Sequence, residues 1–259
     1  SALPDAAAVR SALITHAARA QSRCFAVLDS APGQTPAEVR VLRATFDTPH
    51  AALYYPWVVT GSTADMAELA VVLPPSGFVA GIYARTDVQR GVHKAPANEV
   101  VRGALRFERN INHGELNMLN PLGVNCLRSL EGRGLRVWGA RTASSDPDWK
   151  YVQQRRYMNY LEASIDHGTQ WAVFEPNGER LWSKVDLGIR NFLFSEWRNG
   201  RVLGANPDEA FFVRCDRSTM TQNDLDNGRL VVMVGVAMIK PAEFAVFRLE
   251  RHTADSRQQ

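Results

Sequence analysis

Apolar and polar positions divide the chain into alternating helical and extended stretches. Residues 5–22 carry Val9, Leu13 and Ala17 on one stripe beside Ile14, which predicts a helix. Residues 24–29 predict a short buried strand. Thr35-Pro36-Ala37-Glu38 is a helix start, with a capping box and a proline in the first turn. Val39, Leu42 and Phe46 follow at spacings of three and four. Residues 51–59 predict the next strand, with Pro56 marking a bulge or its end. Helix, strand, helix, strand with short links is the pattern of a parallel sheet covered by helices.

Pro74-Pro75 stops one element and Ser76 is the predicted N-cap of another. Gly77, Ala80, Gly81 and Ala84 give that helix a thin face suited to close packing. Residues 91–98 are irregular. A strand near 100–108, an Asn-rich turn at 110–120, and strands at 123–129 and 135–139 joined by a turn at 131–134 come next. From residue 144 the character changes. A helix over 149–165 should turn Val152, Met158, Leu161 and Ile165 inward and Lys150, Gln154 and Arg155 outward. A strand at 171–174, a helix over 180–198 closed by Asn199-Gly200, a strand at 210–215 and a polar connection at 219–228 complete the stretch. Two helices against a small sheet predict an α+β domain over 145–259, after an α/β domain over 1–144.

The end of the chain is unusual. Residues 228–239 are an unbroken apolar strand opened by an Asn227-Gly228 turn, expected to be covered on both faces. The next run sets Phe244 and Val246 on one side and Ala245, Phe247 and Leu249 on the other. Only Lys240, Pro241 and Ala242 separate the two. A parallel return needs a dozen or more residues and is excluded. A tight hairpin stays open, although no Gly, Asn or Asp is there to take φ > 0. The other option is pairing with a different sheet, in another subunit. The four large apolar side chains would gain roughly 6–12 kcal/mol gross on burial, at about 1.5–3 each. Left bare, they would be an aggregation hazard. This is an ending suited to assembly.

Composition changes little. With 259 residues, 45% apolar and 22% charged, the chain is an ordinary globular protein able to bury a core. Its net charge of +3 is too balanced and too evenly mixed to argue for nucleic acid. Cys24, Cys126 and Cys215 lack metal or redox spacing and are expected as buried free thiols. No apolar stretch approaches a membrane span, and no signal peptide opens the chain. The chemical motifs are equally weak. Pro75-Ser76-Gly77 is superficially similar to a nucleophile elbow but lacks the G-x-S-x-G frame, and a helix start reads better. The six histidines have no metal-ligand spacing. Asp166-His167 falls at a helix end, where the imidazole complements the dipole. Glu131-Gly132-Arg133-Gly134 reads as a turn, since no phosphate-binding glycine motif is present. No catalytic residue, cofactor or metal is read from the sequence.

Two sets of residues carry a resemblance. Residues 75–87, then Gly91-Val92-His93-Lys94-Ala95-Pro96-Ala97-Asn98, resemble the core of contractile phage tail sheath proteins. So do residues 135–142, Arg155-Arg156, Phe174-Glu175-Pro176-Asn177 and the ending Pro241-Ala242-Glu243-Phe244. The resemblance covers about residues 50 to 250. It implies a subtilisin-like, protease-inactive α/β domain with a helix-covered, mainly parallel sheet, followed by a smaller α+β C-terminal domain. It also implies a structural subunit in six-fold rings stacked around an inner tail tube, with baseplate and tail terminator proteins as further partners. Neither nucleic acid nor direct membrane insertion is expected, and the setting is the virion tail, with assembly in the host bacterial cytoplasm. Neighbours in this family are tied by exchanged terminal strands. Carried onto this chain, Glu243, Phe244, Ala245, Val246, Phe247, Arg248 and Leu249 are the donated arm, and Val232, Val234, Val236 and Met238 belong to the receiving sheet. Lys150, Arg155 and Arg156 are candidates for tube contact. Members usually carry more chain before the first helix, so a core fragment lacking its N-terminal part is expected.

Two other classes compete. An α/β hydrolase would be labelled by a serine- or cysteine-directed probe, with loss on replacing Ser76 or a cysteine. A monomeric binding module would stay soluble and active when truncated after Lys240.

Overall fold

Five buried residues in a row, Ala51 to Tyr55, form the centre of a mixed sheet. The computed structural model describes residues 5–19, 22–61 and 70–242. The helices are α1 (Ala6–Ala17), α2 (Pro36–Arg43), α3 (Pro75–Arg90), α4 (His113–Leu119), α5 (Val152–Thr169), α6 (Glu179–Arg198), α7 (Pro207–Ala210) and α8 (Gln222–Asp226). The strands are β1 (Ala26–Asp29), β2 (Ala51–Tyr55), β3 (Val58–Gly61), β4 (Ala70–Leu73), β5 (Glu99–Val100), β6 (Arg106–Phe107), β7 (Val124–Leu130), β8 (Gly134–Trp138), β9 (Phe211–Arg214) and β10 (Met233–Val236).

The main sheet has the order β1-β2-β7-β8-β5. β2 pairs in parallel with β1 and β7, whereas β8 is antiparallel to both its neighbours. The sheet is therefore mixed, with a parallel half and an antiparallel half. Alternate residues of β2 enter two cores. Leu53 and Tyr55 pack with Val39 of α2 and Leu116 and Leu119 of α4. Ala52 and Tyr54 pack with Val79, Ile82 and Tyr83 of α3 and Val152 of α5. β3 leaves this layer after Pro56 and pairs with β4 and β6.

Local signals explain several ends. Thr35 and Glu38 form the expected reciprocal capping box of α2. Ser76 is not the cap of α3. Pro74 takes that position and Ser76 lies inside the first turn, donating its N–H (2.8 Å) and hydroxyl (2.6 Å) to Asp29 at the end of β1. The carboxylate from another element does what a local cap would do. Burial nevertheless outweighs those bonds and raises the Asp29 pKa. The Asn-rich stretch expected as a turn is helix α4, capped by Asn112 and Glu115. The small residues Gly77, Ala80, Gly81 and Ala84 face solvent, since α3 presents Val79, Ile82, Tyr83 and Thr86 to the sheet instead.

A third core belongs to α5, α6, β9 and β10. Tyr157 and Leu161 of α5 meet Leu181, Val185, Ile189 and Leu193 of α6 over Phe211 and Val213. The expected strand at 171–174 is absent. α5 continues as a short 3-10 turn through Ala172, and Phe174 takes φ 67°, which no strand accommodates. α5 is shared: Val152 sits in the core beneath the main sheet, while Tyr157 and Leu161 sit in the third.

Candidate subunit interface

The residues assigned to a receiving sheet lie on β10 and its flanks. β10 runs antiparallel to β9, with Val234 opposite Val213 and Gly235 opposite Phe212. Because side chains alternate, Val232, Val234, Val236 and Met238 turn toward the third core. The opposite face carries Phe212 (48% exposed), Val231 (38%) and Met233 (51%). Among the described residues the helices pack on one side of this pair only. Among the described residues no third strand joins either edge of this pair. A two-stranded ribbon with an apolar outer face is marginal alone and open to pairing. The arm residues Glu243, Phe244, Ala245, Val246, Phe247, Arg248 and Leu249 lie outside the described residues.

The basic residues of α5 are placed differently from their expected roles. Gln154 and Arg155 are buried, not outward, because α5 is covered by one core along its first turns and another further on. Arg155 donates to Asn159 (2.9 Å) and Glu162 (3.1 Å) with its guanidinium 4.6 Å from the centre of the Trp149 ring. Arg156 makes two bonds to Asp87 of α3 (3.0 and 2.5 Å) and lies over Tyr83. Arg156 thus ties α5 to α3, whereas Arg155 is paired within α5 itself and stacked on the preceding Trp149. Lys150 lies over the ring of Tyr151.

Three of the segments that carry the resemblance converge on one cavity of about 570 Å³. His93, Lys94 and Asn98 line it from the loop after α3, Trp138 and Gly139 from the end of β8, and Ile239, Pro241 and Ala242 from the far end of the chain. Below Gly139 the buried Asn125 leaves no room for a Cβ. The half-buried Lys94 donates to the Ala95 carbonyl (2.6 Å), and burial lowers its pKa. Burial and the Arg201 charge likewise lower the pKa of His93.

The geometry bears on chemistry too. Among the described residues, Ser76 bonds to Asp29 and no histidine bonds to it. No cluster of metal-ligating side chains is found among the described residues, nor is any helix long and apolar enough to cross a membrane. Cys126 and Cys215 are buried, and burial pushes their thiols up to about 12 and about 11. Cys24 is exposed, against expectation, because β1 starts only at Ala26.

Comparison with known proteins agrees with this geometry. Residues 2–143 match the model of the phage tail sheath protein central domain, and residues 144–251 that of the phage tail sheath C-terminal domain. A Pseudomonas aeruginosa protein named as a prophage major tail sheath protein is 27% identical over 234 residues, covering 88% of this chain and 58% of the relative. The chain thus spans little more than half the length of that curated relative. Among solved structures, a chain of the anti-feeding prophage baseplate is 34% identical with a TM-score of 0.82, covering 96% of this chain and 67% of that one. The contracted helical sheath of the same particle gives 35% and 0.79, covering 95% and 65%. With both family models matched in order along nearly the whole length, the chain belongs to the phage tail sheath family.

Proposed function

We propose that this chain is a structural subunit of a contractile sheath, which polymerises around an inner tail tube and shortens to drive the tube through a host envelope. The observation that carries the reading is an incomplete sheet. β9 and β10 form a ribbon with its inner face packed, its outer face apolar and, among the described residues, no third strand on either edge. The apolar segment 243–249 follows within a few residues. A strand from a neighbour would complete such a ribbon through main-chain hydrogen bonds, with residues 243–249 as the donated arm. Those bonds follow the backbone of the arm, so they persist while the bodies they join rotate.

The body itself is suited to transmitting force. α5 runs through two cores, and Arg156 to Asp87 and Tyr157 to Glu196 (2.7 Å) lock it to α3 and α6. On this reading the chain divides into a sheath domain over 1–144, subtilisin-like in fold without a protease's site, and a C-terminal domain over 145–259. Its partners are copies of itself, the tube, the baseplate and the tail terminator; its place is the virion tail, after assembly in the host cytoplasm. It performs no catalysis. Electron microscopy of the purified full-length protein tests the proposal: hollow tubes are expected, and a soluble monomer unaffected by truncation after Lys240 would overturn it.

A further inference from the structure

His93 stands between the end of α3, α5 and the end of α6, and the strand-exchange site makes no use of it. Its ring lies edge-on to that of Tyr157 of α5, with the centroids 6.1 Å apart. It also folds back on the end of α3: a Cβ at Gly91, whose φ is 93°, would fall 2.9 Å from Nδ1. That nitrogen is buried and has no hydrogen-bond partner among the described residues. Beyond the ring, Tyr157 and Arg201 each donate to one oxygen of Glu196 in α6 (2.7 and 2.8 Å). The imidazole thus pins the 91–98 loop against both long helices by packing. Its charged neighbours are mostly cations: Arg201 after α6, Arg90 at the end of α3 and Lys94 next along the loop.

Such a seat suits only a neutral ring. An imidazolium donates from both nitrogens, so protonation in place would bury an N–H without an acceptor. It would also add a charge among three others of the same sign. Glu196 is the acid that faces the ring, and each of its oxygens already accepts a bond. Tyr157 offers no compensating charge, since burial and Glu196 keep its phenol protonated. We propose that His93 is an acid-released latch, which clamps the 91–98 loop to α5 and α6 when neutral and turns out to water when protonated. The direction of its pKa, lowered chiefly by burial and next by Arg201, agrees. The loop matters because His93, Lys94 and Asn98 share a cavity with Ile239, Pro241 and Ala242, which directly precede the apolar segment 243–249. Acid would loosen the wall from which that segment departs. The latch belongs to the folded body and holds whether or not copies assemble.

Hydrogen exchange of the 91–98 peptide in the whole chain, corrected for the intrinsic rate at each pH, tests the latch. In the closed loop the Lys94 N–H bonds to the Gly91 carbonyl (3.1 Å) and the Asn98 N–H to that of Val137 (2.8 Å). A histidine lowered in the closed loop and near 6.5 when released keeps the loop shut above 6.5 and gives up that contribution as pH falls further. Protection should therefore drop several-fold from about pH 7.5 to about pH 5.5, with about tenfold as the ceiling for one such proton. His93→Gln cannot be protonated and should be less protected at both values, without the drop. His93→Phe keeps a ring against Tyr157 and should stay protected at both. A wild-type loop equally protected at the two pH values would overturn the latch. So would a drop of wild-type size in His93→Phe or His93→Gln, since another group would then carry it.

Discussion

Asn125 of β7 exchanges two hydrogen bonds with the main chain of Arg141, donating from Nδ2 to the carbonyl (2.8 Å) and accepting the N–H at Oδ1 (2.7 Å). The side chain is fully buried and acts as a missing strand, holding the segment after β8 beyond the end of the β7–β8 ladder. Gly139 is required because its Cβ would fall on the Asn125 amide. Asn125→Ala should therefore cost about 2–6 kcal/mol, since a buried N–H and a buried carbonyl lose partners together at roughly 1–3 each. Urea denaturation of the wild type and variant measures it, and a loss below 1 kcal/mol would mean the amide is dispensable.

Gly139→Ala is a second, independent probe of the same joint. The added methyl meets the main chain and amide of Asn125, neither of which can swing aside. Overpacking of this kind costs about 1–3 kcal/mol. The double variant with Asn125→Ala should lose less than the sum, because the closest part of the clash, with Oδ1, goes with the amide while that with the Cα and Cβ stays.

How much of this was legible in the sequence depends on how local each cause is. The capping box at Thr35 and Glu38 and the end of α6 at Asn199-Gly200 act over three or four residues, and both stand where expected. Asn112 and Glu115 wrote the same signal for α4, but the surrounding asparagines read as a turn. Trp171 to Phe174 is apolar with a β-branched valine, yet the preceding helix and the φ of Phe174 override strand propensity. Periodicity marked one buried stripe on α5. It could not show that a second body buries Gln153, Gln154 and Arg155, since that depends on elements far away in sequence. The candidate site divides in the same way. The inward alternation from Val232 to Met238 was readable from a period of two, whereas the bareness of the opposite face required the packing.

The joint between α5 and α6 rests on Glu196, which is buried and accepts from the Tyr157 hydroxyl (2.7 Å) and the Arg201 guanidinium (2.8 Å). Burial and the neighbouring carboxylate raise the Tyr157 pKa, so the phenol stays a donor at neutral pH. Tyr157→Phe removes one of the two bonds without altering shape. It should cost about 1–3 kcal/mol, read as a lower midpoint in thermal or chemical unfolding.

Acid should loosen the contact between Asp47 and Ser145. Ser145 donates both its N–H (2.8 Å) and its hydroxyl to the Asp47 carboxylate, and these bonds lower its pKa. A carboxylate lowered in the folded state contributes stability above its unfolded value near 3.8, and that contribution is lost as pH falls through the folded value. Wild type should thus lose its advantage over Asp47→Asn as pH drops from 5 to 2. Parallel melting curves for the two proteins across that range would show that the contact carries no pH dependence.

Neighbouring residues of β10 separate folding from assembly. Val234 points into the third core and Met233 away from it, 51% exposed, although they are adjacent in the chain. Val234→Asp places a carboxylate against Val213, Val185 and their neighbours, without a partner, and should cost about 3 kcal/mol or more. Met233→Asp touches nothing buried in the isolated chain and should change stability by no more than about 0.5 kcal/mol. If a neighbouring strand completes the ribbon, its side chains cover the outer face, and the same aspartate then becomes a buried charge at the subunit contact. Met233→Asp should accordingly melt like wild type and fail to form tubes, whereas Val234→Asp should fail at folding. Circular dichroism melts together with electron microscopy of both variants distinguish these outcomes. Normal tubes from Met233→Asp would show that the outer face stays open in the polymer, and the receiving sheet would have to be sought elsewhere.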